Sequence, residues 1–231
     1  LTDWLWNFGD GASSSQQNPS HSFPASGVYN VELIVTNLLG CRDTFMHPTN
    51  ITVQNPPNVA FSLTDTADCA PFATTFSDLS TPGDAPVTDW SWDFGDGNTS
   101  LVRNPSHTFA NSGTYTVTLT ATDANGCPAS GSLDVTAYTL PQVAFEADDT
   151  VGCAPAPIRF TDRTVSATPL QSWRWIFGDG SPVSGQQHPT HTYANDGVYD
   201  VTLEATDLNG CVNSYTRPQY IDLTHPVADF T

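Results

Sequence analysis

The sequence predicts an all-β protein made of several small antiparallel β-sandwiches, and three observations carry that prediction. An eight-residue stretch recurs as WLWNFGDG at 4–11, WSWDFGDG at 90–97 and WRWIFGDG at 173–180. Apolar and polar residues alternate with a period of two, which is typical of half-buried strands. Lys is absent and only 3 Glu occur, whereas Thr, Val, Asp, Gly and Pro are abundant, as in strands and turns.

The repeat has a nearly constant period. Phe8, Phe94 and Phe177 open the three FGDG sequences and lie 86 and 83 residues apart. A period near 84 is too long for a solenoid repeat and is typical of a small independent domain. The sequence therefore predicts a tandem array of domains.

Short apolar segments mark where the domains begin: VAFSL, VAFEA and VADFT at 59–63, 143–147 and 227–231. The first FGDG lies so close to residue 1 that its domain lacks the expected early strands. This pattern indicates a segment of a longer array. The expected units are a partial domain at 1–54, complete domains at 55–139 and 140–223, and the first strand of a further domain at 224–231.

Alternation predicts which side chains fill the core. In GTYTVTLTATD, Tyr115, Val117 and Leu119 face one way and the intervening threonines face the other. Trp92 and Phe94 share a face in the preceding strand. A domain of this size has a small core, so an additional constraint is expected.

Cysteine spacing suggests that constraint. Cys69 and Cys127 are 58 residues apart, and so are Cys153 and Cys211. We expect one disulfide per domain, Cys69–Cys127 and Cys153–Cys211, with Cys41 pairing outside the sequence. Such a loop stabilises a fold by about 4 kcal/mol in the chain-entropy model, and disulfides place the protein in an oxidising compartment. A zinc site is a weaker interpretation, since no CxxC occurs.

The charge balance excludes some partners. The net charge is −18, so the chain has no basic patch with which to bind nucleic acid. It should repel anionic membranes and attract divalent cations, and we expect no membrane insertion.

WxWxFGDG followed by NPxHxF/Y and GxYxVxLxxTD resembles the PKD (polycystic kidney disease) domain, and the resemblance covers nearly the whole chain. It implies tandem Ig-like sandwiches of PKD type, usually extracellular. The paired cysteines resemble the PKD arrays of large secreted Bacteroidota surface proteins. The motif positions, to which we assign structural roles, are Trp92, Phe94, Gly95, Asp96, Gly97, His107, Tyr115, Trp175, Phe177, Asp179, His191 and Tyr199.

Structural roles explain the repeated motif better than ligand binding or catalysis does. Gly95 and Gly97 suit a tight turn, and Asp96 suits an Asx turn. A phosphate-binding loop would need a following helix and a basic residue. His107 shares a strand face with Phe109, as a packed histidine would. A catalytic histidine would need a nucleophile and an orienting acid, and no GxSxG occurs, so we predict no enzyme.

Four recurring aspartates are candidate calcium ligands: Asp78, Asp123, Asp162 and Asp207. Clustered Asp oxygens suit Ca²⁺, but Asx turns explain these residues equally well.

Thr66 and Thr150 are candidate O-glycosylation sites. Each follows Asp at the same place before the first cysteine of its domain, and Asp-Thr followed by a small or aliphatic residue resembles the O-glycosylation motif of secreted Bacteroidota proteins. A solvated turn is the competing explanation.

Taken together, the features favour an extracellular structural or adhesive protein at the cell surface, with a stalk, fibre or filament built of these domains. Its expected partners are other copies of the chain, further domains of the same protein, or surface glycans and proteins. The alternative is a spacer or carbohydrate-binding accessory module of a secreted hydrolase or protease.

Overall fold

The structure, a computed structural model, describes residues 1–224, and within that range it contains 21 β-strands and no helix. The expected first strand of a further domain, at 224–231, lies outside the described residues from 225 onward. The strands are β1 (Asp3–Asn7), β2 (Ser13–Ser14), β3 (Gly27–Tyr29), β4 (Glu32–Thr36), β5 (Arg42–Met46), β6 (Ile51–Val53), β7 (Phe61–Leu63), β8 (Ala67–Cys69), β9 (Phe72–Asp78), β10 (Val87–Asp93), β11 (Thr99–Ser100), β12 (Ser106–Phe109), β13 (Gly113–Asp123), β14 (Pro128–Tyr138), β15 (Phe145–Ala147), β16 (Val151–Cys153), β17 (Ala156–Asp162), β18 (Leu170–Ile176), β19 (Thr190–Tyr193), β20 (Gly197–Asp207) and β21 (Val212–Thr224).

The strands form three successive groups, called here domain one (β1–β6), domain two (β7–β14) and domain three (β15–β21). In domain two a five-stranded sheet, β11-β10-β13-β14-β8, faces a three-stranded sheet, β12-β9-β7. Domain three repeats this arrangement with β16-β21-β20-β18 and β15-β17-β19. The long β13–β14 hairpin is antiparallel along its whole length, whereas β8 runs parallel to the last residues of β14.

Each complete domain is built around one tryptophan from the repeated motif. Trp92 and Trp175 are fully buried, as are Val117 and Leu119 on the neighbouring strand. Phe94 lies against the same core. The period-two alternation therefore placed these side chains correctly, and the predicted all-β, Ig-like sandwich fold is confirmed.

Domain one has a different arrangement. Its sheets are β2-β1-β4-β5 and β3-β6, and the described residues include no counterpart of the three-stranded sheet. Trp6, the equivalent of the fully buried Trp92, is therefore partly exposed. The segment at 20–23 is not a strand, although its equivalent is β12. In domain two that strand forms by pairing with β9, a partner that domain one lacks.

The expected disulfides Cys69–Cys127 and Cys153–Cys211 are wrong. The structure instead bonds Cys69 of domain two to Cys211 of domain three, with a sequence separation of 142. Cys127 and Cys153 are free thiols. The bond thus joins two domains, so the expectation of one disulfide inside each domain is corrected.

The length of β14 explains why Cys69 and Cys127 do not bond to each other. Cys127 immediately precedes β14, whereas Cys69 pairs with Tyr138 at the other end of that strand. Eleven residues of strand span about 36 Å at about 3.3 Å per residue. Two cysteines whose Cα atoms lie more than about 7 Å apart cannot bond without backbone movement. Cys153 and Cys211 are separated in the same way by β21.

A pair of glycine substitutions tests the tight turn after β10. Gly95 has φ +78°, and a Cβ there would lie 2.7 Å from the Thr116 carbonyl oxygen; Gly97 has φ +93°, with no heavy atom within 4 Å of a Cβ. Gly97→Ala should cost about 1 kcal/mol in free energy of unfolding from backbone strain alone. Gly95→Ala should cost about 3 kcal/mol because a steric clash is added. Scanning calorimetry of the whole chain measures both, and equal losses would contradict the close approach.

Candidate functional site: the junction between neighbouring domains

Cys69 lies at the end of domain two that faces domain three. Strand β8 pairs in parallel with the last residues of β14, which places Cys69 beside Tyr138. The backbone N–H of Ala70 donates to the Tyr138 carbonyl oxygen at 2.9 Å. The cysteine is therefore fixed next to the point at which the chain leaves the domain.

Cys211 lies at the facing end of domain three, in the turn between β20 and β21. The Asp207 carboxylate accepts hydrogen bonds from the backbone N–H groups of Asn209 and Cys211, both at 2.9 Å. Gly210 closes the turn with φ +83°. This turn presents the buried Cys211 to Cys69, and the two Cα atoms are 5.5 Å apart.

The backbone link between the same two domains is also held in place. The Asn213 side-chain amide donates to the Pro141 carbonyl oxygen at 2.8 Å. Gln142 and Val165 exchange two backbone hydrogen bonds of 2.8 and 3.1 Å. Domains two and three are therefore joined by two covalent connections, the chain and the disulfide, with the chain docked on domain three.

The backbone link between domains one and two is also held in place, and Cys127 beside it is a free thiol. Asp84 accepts from the backbone N–H of Asn55 at 2.7 Å and from its side-chain amide. The backbone bond first, and the amide second, lower the pKa of Asp84. The Cys127 thiol lies 3.9 Å from the Gln54 side-chain oxygen, at the end of domain one.

A second recurring arrangement joins the FGDG aspartate to the NPxH histidine. In domain two, one Asp96 oxygen accepts from the Asn98 backbone N–H at 3.0 Å, which forms an Asx turn. The other oxygen bonds to His107 Nε2 at 2.8 Å. The imidazole ring stacks on Phe94 with centroids 4.1 Å apart and meets Phe109 edge-on at 4.7 Å.

The same geometry occurs in the other domains. Asp10–His21 and Asp179–His191 are 2.7 and 2.8 Å apart. The partner of each histidine is thus the turn carboxylate, and its ring lies between aromatic side chains. In domains two and three this arrangement connects the turn to a strand of the opposite sheet, β12 or β19, and in domain one it connects the turn to the segment at 20–23, so its role is structural.

Each tyrosine of the GxYxV motif forms a hydrogen bond to the loop that precedes it. The Tyr115 hydroxyl donates to the Asn111 carbonyl oxygen at 2.9 Å, and the Tyr199 hydroxyl donates to that of Asn195 at 3.0 Å. Each hydroxyl reaches back four residues, as in the tyrosine corner of Ig folds.

Each calcium candidate accepts hydrogen bonds within the protein, although the buried Oδ2 of Asp123 has no hydrogen-bond partner. Asp78 accepts from Trp90 Nε1 at 2.8 Å and Arg103 Nε at 3.0 Å, and Asp162 accepts from Trp173 Nε1 at 2.8 Å. Asp123 and Asp207 accept from the turns that follow them. Within residues 1–224, no three His, Cys, Asp or Glu side chains are grouped to hold a metal ion.

The Trp–Asp–Arg contact was missed by sequence reasoning. Trp90 recurs in each motif, but nothing in the local pattern indicates that its indole reaches an aspartate on the opposite sheet. The glycosylation candidates Thr66 and Thr150 lie just before β8 and β16, where Thr66 is exposed and Thr150 is partly buried.

The family model of the PKD domain matches residues 1–53, 54–137 and 139–223. The chain therefore belongs to the PKD domain family, as three tandem members.

Several relatives share this similarity. Human polycystin-1 is 33% identical over 142 residues, covering 50% of this chain and 3% of the relative. Collagenase ColA of Bacillus cereus is 41% identical over 58 residues, covering 25% and 6%. The Vibrio cholerae pre-pro-metalloprotease PrtV is 29% identical over 126 residues, covering 54% and 13%. The chain thus spans only a small part of the curated relatives that it matches.

Among solved structures, the PKD1 domain of Vibrio anguillarum Epp is 27% identical, with a TM-score of 0.34, and covers 37% of this chain and 96% of that domain. The PKD1 domain of Vibrio cholerae PrtV is 26% identical, with a TM-score of 0.33, and covers 36% and 98%. In the part of the chain that the structure describes, no helix is long and apolar enough to cross a membrane.

Lowering the pH should weaken the hydrogen bond between Asp96 and His107. Burial raises the pKa of the Asp96 carboxyl, but hydrogen bonds from His107 and Asn98 outweigh it, so that pKa lies below its usual value. A group whose pKa is depressed by folding stabilises the protein above its unfolded-state pKa and loses that stabilisation as the pH falls. We expect stability to fall below about pH 4.

Asp96→Asn removes this contribution. It should cost about 1.5–3 kcal/mol in free energy of unfolding at pH 6, the usual value of a hydrogen bond to a charged group. The loss of stability between pH 6 and pH 3 should then be smaller than in the unaltered chain. Melting temperature against pH measures this, with the exposed Asp89→Asn as control. Parallel pH profiles for Asp96→Asn and the unaltered chain would contradict it.

Proposed function

We propose that this chain is a segment of an extracellular stalk whose PKD domains are locked together end to end. The observation that carries the proposal is the Cys69–Cys211 bond, which joins neighbouring domains instead of closing one domain. A bond inside each domain would stabilise that domain alone. A bond between domains restricts how they move relative to each other, and a semi-rigid spacer requires that restriction.

The mechanical consequence follows from the path of the chain. Under tension applied at the two ends, the force passes from Cys69 directly to Cys211. The intervening residues, a separation of 142, are excluded from the load path. The excluded part contains most of domain two and most of domain three, so their unfolding would not lengthen the stalk.

Further features support an extracellular, non-catalytic role. A structural disulfide is typical of an oxidising compartment. The net charge of −18 favours solubility and repulsion between neighbouring stalks at low salt. The recurring histidines are engaged with turn carboxylates and aromatic rings. O-glycans at Thr66 and Thr150 would add bulk beside the junctions.

A second candidate is an accessory module of a secreted hydrolase or protease. The similarity to a collagenase and to a metalloprotease favours it. In that setting the array would hold a catalytic domain at a fixed distance from a substrate surface, or bind a glycan or protein there. A rigid junction would serve that spacer role as well.

Single-molecule pulling from the two ends tests the load path. Cys69→Ser should lengthen the fully extended chain by about 500 Å, because a separation of 142 residues becomes extensible at about 3.5 Å per residue. Cys153→Ser removes a thiol that is already free and should leave the length unchanged. A chain that reaches its full length under oxidising conditions without Cys69→Ser would contradict the proposal.

A further inference from the structure

We propose that the three free thiols each bond to a cysteine of an adjacent PKD domain, so that every junction of a longer array carries a disulfide. Cys41 and Cys127 would each bond to the first cysteine of the domain that precedes their own. Cys153 would bond to the second cysteine of the domain that follows its own. Within residues 1–224, which contain all five cysteines, Cys69 and Cys211 are bonded to each other and the other three are free. The inference requires tandem PKD domains but does not require the stalk role.

The turn that presents Cys127 is already formed in the same way as the turn that presents Cys211. Asp123 accepts from the backbone N–H of Cys127 at 2.9 Å, as Asp207 does from Cys211. The Gly126 and Gly210 φ values are +82° and +83°. Domain one has the same turn, in which the Asn37 side-chain oxygen accepts from the Cys41 backbone N–H at 3.0 Å. The free and bonded cysteines are therefore held in equivalent positions.

Cys153 is likewise placed as Cys69 is. Strand β16 pairs in parallel with the end of β21, which sets Cys153 beside Thr224. The Ala154 backbone N–H donates to the Thr224 carbonyl oxygen at 3.3 Å. The Cys153 residue is exposed at that end of domain three.

The contact between Cys127 and Gln54 is independent evidence for the partner. Gln54 lies 84 residues before Tyr138, and Tyr138 is the residue beside Cys69. The Cys127 thiol, 3.9 Å from the Gln54 side chain, therefore already touches the position next to which a first cysteine of domain one would lie. The links that lead into domains two and three also match each other. The buried Pro57 lies three residues after Gln54, and the buried Pro141 lies three residues after Tyr138.

The sequence spacing fits a pairing between the first cysteine of one domain and the second cysteine of the next. The separation of 142 is the within-domain spacing of 58 plus one repeat of 84. Each bond forms when two thiols lose two protons and two electrons to an oxidant of the disulfide class, which is reduced to two thiols. The resulting bond differs from the existing one only in which domains it joins.

An extended chain tests the rule with a complete domain on each side of a new junction. A second copy of residues 56–139 is inserted after residue 139, which gives seven cysteines. The proposal predicts that Cys69 bonds to the inserted copy of Cys127, and that the inserted copy of Cys69 bonds to Cys211. Maleimide labelling of the unfolded, unreduced protein should then count three free thiols. A count of five would overturn the proposal.

Two matched variants identify which thiols are paired. Cys127→Ser in the inserted copy should raise the count to four, because Cys69 loses its partner. Cys127→Ser in the original copy should lower the count to two, because that thiol has no partner in this chain. The reverse pattern, or an unchanged count in both variants, would overturn the proposal. The bond to Cys211 reports in every case that domain three has folded beside its neighbour.

Discussion

The length of the central hairpin sets the architecture of this chain. Strand β14 runs from the turn that holds Cys127 to the position beside Cys69, so the two cysteines of a domain lie at opposite ends of it. Neither thiol can reach the other inside a folded domain. Each end instead presents a thiol to the next domain, and the Cys69–Cys211 bond is the result.

This constraint connects the small core to the tandem arrangement. Each complete domain buries one motif tryptophan, Trp92 or Trp175, between its sheets. The Asp–His pair and the tyrosine corner then fasten turns at the surface of the sandwich. The disulfide acts between domains, so the loop that it closes contains residues of both domains. In the chain-entropy model a closed loop of more than 100 residues stabilises by about 5 kcal/mol.

Much of the fold could be predicted from the sequence, because the period-two alternation and the repeated motif are local signals. Trp92, Val117 and Leu119 were assigned to the core by alternation alone, and they are fully buried. The disulfide pairing failed because equal spacing within two domains is compatible with two connectivities. Choosing between them requires the direction and length of β14, which place Cys69 and Cys127 far apart in space. The Trp90–Asp78 contact crosses between sheets and likewise has no local signal.

The central claim is that the disulfide joins two domains, and tryptic mapping without reduction tests it most directly. The chain has no Lys, and cleavage after arginine, except at Arg217 before Pro218, places Cys69 in the peptide 43–103, Cys127 and Cys153 together in 104–159, and Cys211 in 175–231. The structure predicts that 43–103 is linked to 175–231 and that 104–159 is linked to neither. A link between 43–103 and 104–159 would contradict the account.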